Sequence, residues 1–279
     1  MKGLLTRAST AIIFVGVMLG GLYGGRESFV ILFAVITALC LWEFLGLTLE
    51  GKKQRRDRIR KFLGMVLGLT PFFVIAALML DLVTSVEGFI LFSSLVLFPL
   101  IFLTFIYELF TGSDQPFVNI AFILLGMIYI GIPFAMLEFI AFDGELFHAN
   151  IVFGLLLLTW TNDTSAYLVG SQIGKTPLYS RISPKKTWEG SLGGVVITFG
   201  VAFILSRFFQ ELTIQEWMVL GAIVAIFGSI GDLVESMLKR SMEIKDSGTL
   251  LPGHGGLLDR FDGFIFLIPY ATAYLLWIR

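Results

Sequence analysis

The residues best suited to chemistry in this 279-residue chain lie in one stretch, Gly231 to Gly263, which reads GDLVESMLKRSMEIKDSGTLLPGHGGLLDRFDG. Asp232, Glu235 and Lys239 stand at i, i+3 and i+7, so a helix would present all three on one face. Asp259 and Asp262 stand at i and i+3, with Arg260 between them. The intervening segment carries Arg240, Lys245, Asp246 and His254, and two turn-formers, KDSG and PGHGG. Acids hold a hard cation such as Mg²⁺ through oxygen. Cations neutralise phosphate oxygens, and glycine lets backbone N–H groups come close. The composition therefore fits a metal–polyphosphate site. A charged hairpin closed by its own salt bridges is the plainer reading. It would need no GHGG turn and does not explain acids inside both flanking apolar runs.

Two further polar clusters interrupt apolar sequence. TWTNDTSAYLVG places Asn162, Asp163, Thr164 and Ser165 inside a run that otherwise suits lipid. Thr and Ser there can serve simply to bond neighbouring helices. Asp163 is harder to dismiss, because a carboxylate in a span needs a cation or a metal. SPKKTWEG sets Lys185 and Lys186 just before an apolar run, with Trp188 at its edge. That is what a basic, aromatic-belted membrane boundary looks like. It also suits a triphosphate clamp, since ammonium groups on a loop can follow phosphate oxygens.

The elements that must position these residues are membrane helices. The chain is 56% apolar with 28 Phe and a mean hydropathy of +0.87, and its apolar runs recur at close to the ~20 residues that cross ~30 Å of hydrocarbon. Backbone groups must be satisfied inside lipid, so the expected fold is all-α and polytopic. Nine spans are predicted: 8–25, 28–49, 62–80, 88–110, 117–141, 148–169, 190–208, 215–236 and 258–278. The loop GKKQRRDRIRK fixes the orientation. With that loop in the cytoplasm, the N-terminus lies inside, the C-terminus outside, and seventeen of the twenty Lys and Arg fall on the inner side. Topology and contact with anionic lipid account for the loop itself. The chain reads as one integral membrane domain over 1–279, with scaffold spans in 1–147 and a catalytic half in 148–279. GxxxG spacing at Gly16, Gly20 and Gly24, and at Gly64 and Gly68, suits close helix packing. A single cysteine, Cys40, excludes an internal disulfide framework.

Ser236-x-Leu-Lys-Arg240, Lys245-Asp-x-Gly248 and Leu251-Pro-x-His-Gly-Gly-Leu-x-Asp-Arg-Phe-Asp262 together resemble the signature of the phosphatidate cytidylyltransferases, the CDP-diacylglycerol synthases. NDTSAY at 162–167 and SPKKTWEG at 183–190 resemble two further segments of that family, in the same order. The resemblance covers the C-terminal half at motif level. It implies transfer of CMP from CTP to phosphatidic acid, giving CDP-diacylglycerol and pyrophosphate with Mg²⁺, at the cytoplasmic face of a multi-pass protein of the inner membrane. On that implication, Asp232 and Asp259 are the principal metal-holding pair and Asp246 a further ligand. Lys185, Lys186, Lys239 and Arg240 neutralise phosphates. His254 with Gly255 and Gly256 contacts pyrophosphate or orders the loop, and Asn162, Asp163 and Arg260 complete the substrate-binding candidates. A second, monovalent cation stays open. The family suggests a homodimer that no residue here requires, and nothing calls for nucleic acid. Two alternatives remain: a cytidylyltransferase for another lipid phosphate, and an ion-coupled transporter. The transporter predicts acids near the bilayer midplane and polar residues toward both faces. Here the charge is one-sided.

Overall fold

A computed structural model describes residues 2–49, 55–83, 85–245, 247–248, 250 and 255–279. Every predicted span coincides with a helix: α1 (Lys2–Tyr23), α2 (Arg26–Leu49), α3 (Arg55–Met79), α4 (Val86–Thr111), α5 (Pro116–Ala141), α6 (Ala149–Ile173), α7 (Trp188–Phe208), α8 (Ile214–Ser241) and α9 (Leu258–Ile278). Among the described residues, seven helices are long and apolar enough to cross a membrane. The other two are α1, whose apolar part Ser9–Tyr23 is shorter, and α6, which carries the polar NDTS step. Among the described residues, two short antiparallel hairpins, β1–β2 (Phe142–Asp143, Leu146–Phe147) and β3–β4 (Pro177–Tyr179, Ser183–Thr187), lie between helices.

The chain forms two compact units. The first comprises residues 1–138 with 246–258. Its core is built on α2, whose Phe29, Phe33, Leu41, Phe44 and Leu45 are fully buried. Gly64 and Gly68 of α3 face Leu45 and Leu41, and Gly131 of α5 meets the Gly68 carbonyl, so this GxxxG face packs within the unit. Gly16 and Gly20 have nothing within 4 Å. A π turn at Met127–Gly131 sits just before Pro133. Widening the helix there accommodates a residue that can donate no hydrogen bond and whose ring crowds the preceding turn. Arg60 is buried against Glu108 and bonds Asp57 at 2.7 Å and Thr111 at 3.3 Å. Such a pair holds its place only because its remaining donors and acceptors are also met.

The second unit comprises residues 139–245 with 259–279. Two close crossings shape it. In the first, α6 and α7 approach through Gly170, Gly190, Gly193 and Gly194; a side chain at Gly190 would meet the Ala166 carbonyl at 2.6 Å. In the second, α8 and α9 approach through Gly228, Gly231 and Gly263, and a Cβ on Gly263 would lie 2.8 Å from the Gly228 carbonyl oxygen. That oxygen belongs to backbone and cannot rotate away. Gly263→Ala should therefore destabilise the fold by about 1–3 kcal/mol, the usual cost of overpacking. Gly200→Ala is the matched control, because nothing lies within 4 Å of its Cβ position. Thermal unfolding of the two variants in detergent compares them directly, and equal midpoints would reject the crossing as a constraint.

Candidate active site

The α8–α9 crossing decides where the acids go. Asp232 and Glu235 follow Gly231 on α8, and Asp259 and Asp262 precede Gly263 on α9. Backbone contact at the glycines brings the acidic turns of both helices together. Ligand oxygens of Asp232, Glu235 and Asp262 lie within 4.8 Å of one another. Glu235 is fully buried and Asp262 is 8% exposed. Two cations reach into the cluster. Lys186, on β4, pairs with Asp232. Lys239, on α8, pairs with Glu235 and donates to Asp259 Oδ1 at 2.7 Å. Asp262 Oδ1 also accepts from the Gly263 N–H at 2.6 Å.

Asp232, Asp259, Asp262 and Lys186 line a cavity of about 520 Å³, with Glu235 and Lys239 behind them. One wall is a helical stripe of α6, comprising Asn162, Asp163, Ala166, Tyr167, Gly170 and Ser171. Asn162 is held by its amide, which donates to Ser229 Oγ at 3.1 Å, and by its oxygen, which accepts from Thr198 at 3.4 Å. A second wall is Lys185, Lys186 and Thr187 of β4, with Ser191 of α7. The hairpin carrying the lysines is tied to the start of α7. The Glu189 carboxylate accepts from the Lys175 N–H at 3.1 Å and from the Thr176 hydroxyl at 2.8 Å, and the Thr187 hydroxyl accepts from the Gly190 N–H at 3.2 Å. Ser229, Asp232, Asp259 and Asp262 close the remaining side.

Of the sequence-derived site residues, the structure thus brings together Asn162, Asp163, Lys185, Lys186, Asp232 and Asp259 around one cavity, with Lys239 bonded to Asp259. Arg240 points elsewhere. Consecutive helix residues diverge by about 100°, and Arg240 lines a separate cavity of about 400 Å³ with Tyr179, Arg181, Ile182, Met237 and Ser241. Arg260 is exposed and does not line the first cavity. Gly255 and Gly256 are described with the first unit, and Asp246 and His254 lie outside the described residues. Glu235 and Asp262 were passed over as ligands by sequence reasoning. The signal for Glu235 was its place on one face with Asp232 and Lys239; for Asp262 it was the i, i+3 step from Asp259.

The donor set fits Mg²⁺. It is all oxygen, three carboxylates converge, and two of them, Glu235 and Asp262, are buried, beside ammonium groups that can meet phosphate. Mg²⁺ keeps several waters and takes few protein ligands, so two of the three acids suffice. A profile of the cytidylyltransferase family matches residues 5–278, nearly the whole chain. The chain belongs to the cytidylyltransferase family. The chain is also 38% identical over 189 residues to a Staphylococcus haemolyticus protein named phosphatidate cytidylyltransferase, covering 66% of the chain and 71% of that protein. It is 37% identical over 177 residues to one of the same name from Staphylococcus aureus, covering 63% of the chain and 66% of that protein. To a third of that name, from Bacillus subtilis, it is 40% identical over 169 residues, covering 59% of the chain and 61% of that protein.

Proposed function

We propose that this protein transfers CMP from CTP to phosphatidic acid, releasing pyrophosphate and leaving CDP-diacylglycerol in the membrane. The observation that carries the reading is the convergence of Asp232, Glu235 and Asp262 with Lys186 and Lys239 beside one cavity. The relatives' names supply the lipid. Long apolar helices fit a substrate whose acyl chains stay in the bilayer.

An oxygen of the lipid phosphate attacks the α-phosphorus of CTP. The bond from that phosphorus to the bridging oxygen of the β-phosphate breaks, and pyrophosphate leaves with the electron pair. The nucleophile is an anion near neutral pH, so no strong base is needed; catalysis rests on alignment and charge neutralisation. Two of the three acids Asp232, Glu235 and Asp262 would hold Mg²⁺, which when bound withdraws charge from phosphate oxygens. Lys186 and Lys185 flank the cavity and neutralise the triphosphate. Lys239 holds Asp259 and Glu235 in place. Asn162, fixed by Ser229 and Thr198, presents a rigid wall to the substrate.

Purified protein given labelled CTP, Mg²⁺ and vesicles containing phosphatidic acid should yield CMP linked to lipid. No lipid-linked CMP product would reject the proposal. Vesicles with other lipid phosphates, run in parallel, define the acceptor.

The reading also needs the site to open on the cytoplasm, where CTP is. α6 decides this, because its 25 residues, ~38 Å at ~1.5 Å per residue, are long enough to cross even though its polar turn lowers its hydropathy. Cysteines placed at Glu145 and Lys175, on either side of α6, in a Cys40→Ala background should label from opposite faces of sealed vesicles, Lys175→Cys from the cytoplasmic one. Labelling of both from one side would remove α6 as a span and with it the nine-span orientation.

A further inference from the structure

Glu43 is a carboxylate inside an apolar helix, α2, at 6% exposure, and it belongs to none of the clusters above. Among the described residues, its Oε2 accepts from the Leu258 N–H at 2.8 Å and from the Ser247 hydroxyl at 3.2 Å. The chain closes on it from both sides. A Cβ on Gly248 would lie 2.5 Å from Oε1, and one on Gly256 would lie 2.5 Å from Oε2. Leu258 is the first residue of α9. The first amides of a helix have no partner within it and form its positive end. The side chain of the residue just before the helix usually meets one of them, at the second or third position. Here that residue is Leu257, which has no acceptor to offer.

We propose that Glu43 is a positioning residue, a helix cap supplied from a remote part of the chain that fixes the start of α9. The next residue is Asp259 and the first turn also carries Asp262. A cap placed by α2 leaves both of these acids free of capping duty. It also gives Gly248 and Gly256 a specific purpose: they leave room for the Glu43 carboxylate. That Asp259 and Asp262 act in CMP transfer rests on the function proposed above; the capping itself does not.

The test compares Glu43→Gln, Glu43→Ala and a packing control on the same helix, Phe44→Leu, in the full-length protein in detergent. Two readouts are taken, amide hydrogen exchange at Leu258 and lipid-linked CMP formed per folded molecule. Glu43→Ala should speed exchange at Leu258 by about tenfold or more, as expected for loss of a charged capping bond, and should lower kcat similarly without a matching rise in KM for CTP. Glu43→Gln keeps an acceptor and should fall between, and it carries the test if the alanine variant fails to fold. Phe44→Leu should lower the unfolding midpoint while leaving both readouts per folded molecule unchanged. Unchanged exchange at Leu258 in Glu43→Gln and Glu43→Ala overturns the cap. Faster exchange with wild-type turnover overturns the positioning role. If the wild type makes no lipid-linked CMP, the functional reading fails while exchange still judges the cap.

Discussion

Asp262→Asn should cut CMP transfer per folded molecule by about a hundred- to a thousandfold, the scale of losing one preorganised charged group at a reacting centre. Asp232→Asn should do the same. The substitution keeps size and removes charge, so it reads electrostatics with little change in packing. The pair should not be additive: Asp232→Asn with Asp262→Asn should be scarcely worse than either alone, because residues acting on one ion fail together. Asp259→Asn separates the acids. Its Oδ1 is engaged by Lys239 at 2.7 Å, while Asp262 converges with Asp232 and Glu235. Asp262→Asn should therefore raise the Mg²⁺ concentration needed for half-maximal activity more than Asp259→Asn does. Binding of Mn²⁺, followed by electron paramagnetic resonance, gives a readout that needs no turnover. Near-normal Mn²⁺ affinity in Asp232→Asn and Asp262→Asn alike would remove the cluster as a metal site.

The helices were legible because lipid allows few choices. A run of about twenty apolar residues has to satisfy its own backbone, and each of the nine runs does so as a helix. Their ends were less legible. α3 begins at Arg55, well before the apolar run at 62, and α8 continues past 236 to Ser241, because Lys and Arg are good helix formers and acids meet their charges there, Asp57 and Glu108 at Arg60 and Glu235 and Asp259 at Lys239. The β3–β4 hairpin was not foreseen. SPKKT has weak strand preference, and its pairing is set by the bonds of Glu189 to the backbone of Lys175 and Thr176.

The site divides in the same way. Spacing on one helix could be read, so the shared face of Asp232, Glu235 and Lys239 was visible. Which acid of α9 meets that face depends on where α8 and α9 cross, and the crossing is set by Gly228, Gly231 and Gly263 touching backbone to backbone. Periodicity does not encode that. Glu43 carried a signal that went unused, a single acid in the run ITALCLWEFLGL. An ionisable group within a span has a partner or a function, and here the partner is more than two hundred residues away along the chain.

Lys239→Met should strongly destabilise the second unit. Lys239 pairs with Glu235, which is fully buried, and with Asp259, whose side chain is 13% exposed. Removing one partner of a buried pair leaves a charge with neither water nor counterion, at a cost of about 3–5 kcal/mol. Most of that cost belongs to the stranded Glu235. Lys239→Met combined with Glu235→Gln should therefore recover much of the lost stability, so the double variant is more stable than the sum of the two singles predicts. A divalent cation at the acid cluster supplies the same compensation. Mg²⁺ should raise the unfolding midpoint of Lys239→Met by more than it raises that of the wild type. Unfolding in detergent, with and without Mg²⁺, measures all of these. A Lys239→Met midpoint equal to the wild type would show that the pair is solvated and carries no structural weight. Activity then separates the two roles of the lysine. If Lys239 only neutralises Glu235, the stable double variant should regain turnover to the extent that Glu235 is dispensable as a ligand. If Asp259 needs Lys239 to hold its orientation, the double variant should fold well and stay slow, and Lys239→Arg, which keeps the charge but not the compact ammonium geometry, should rescue stability more than rate.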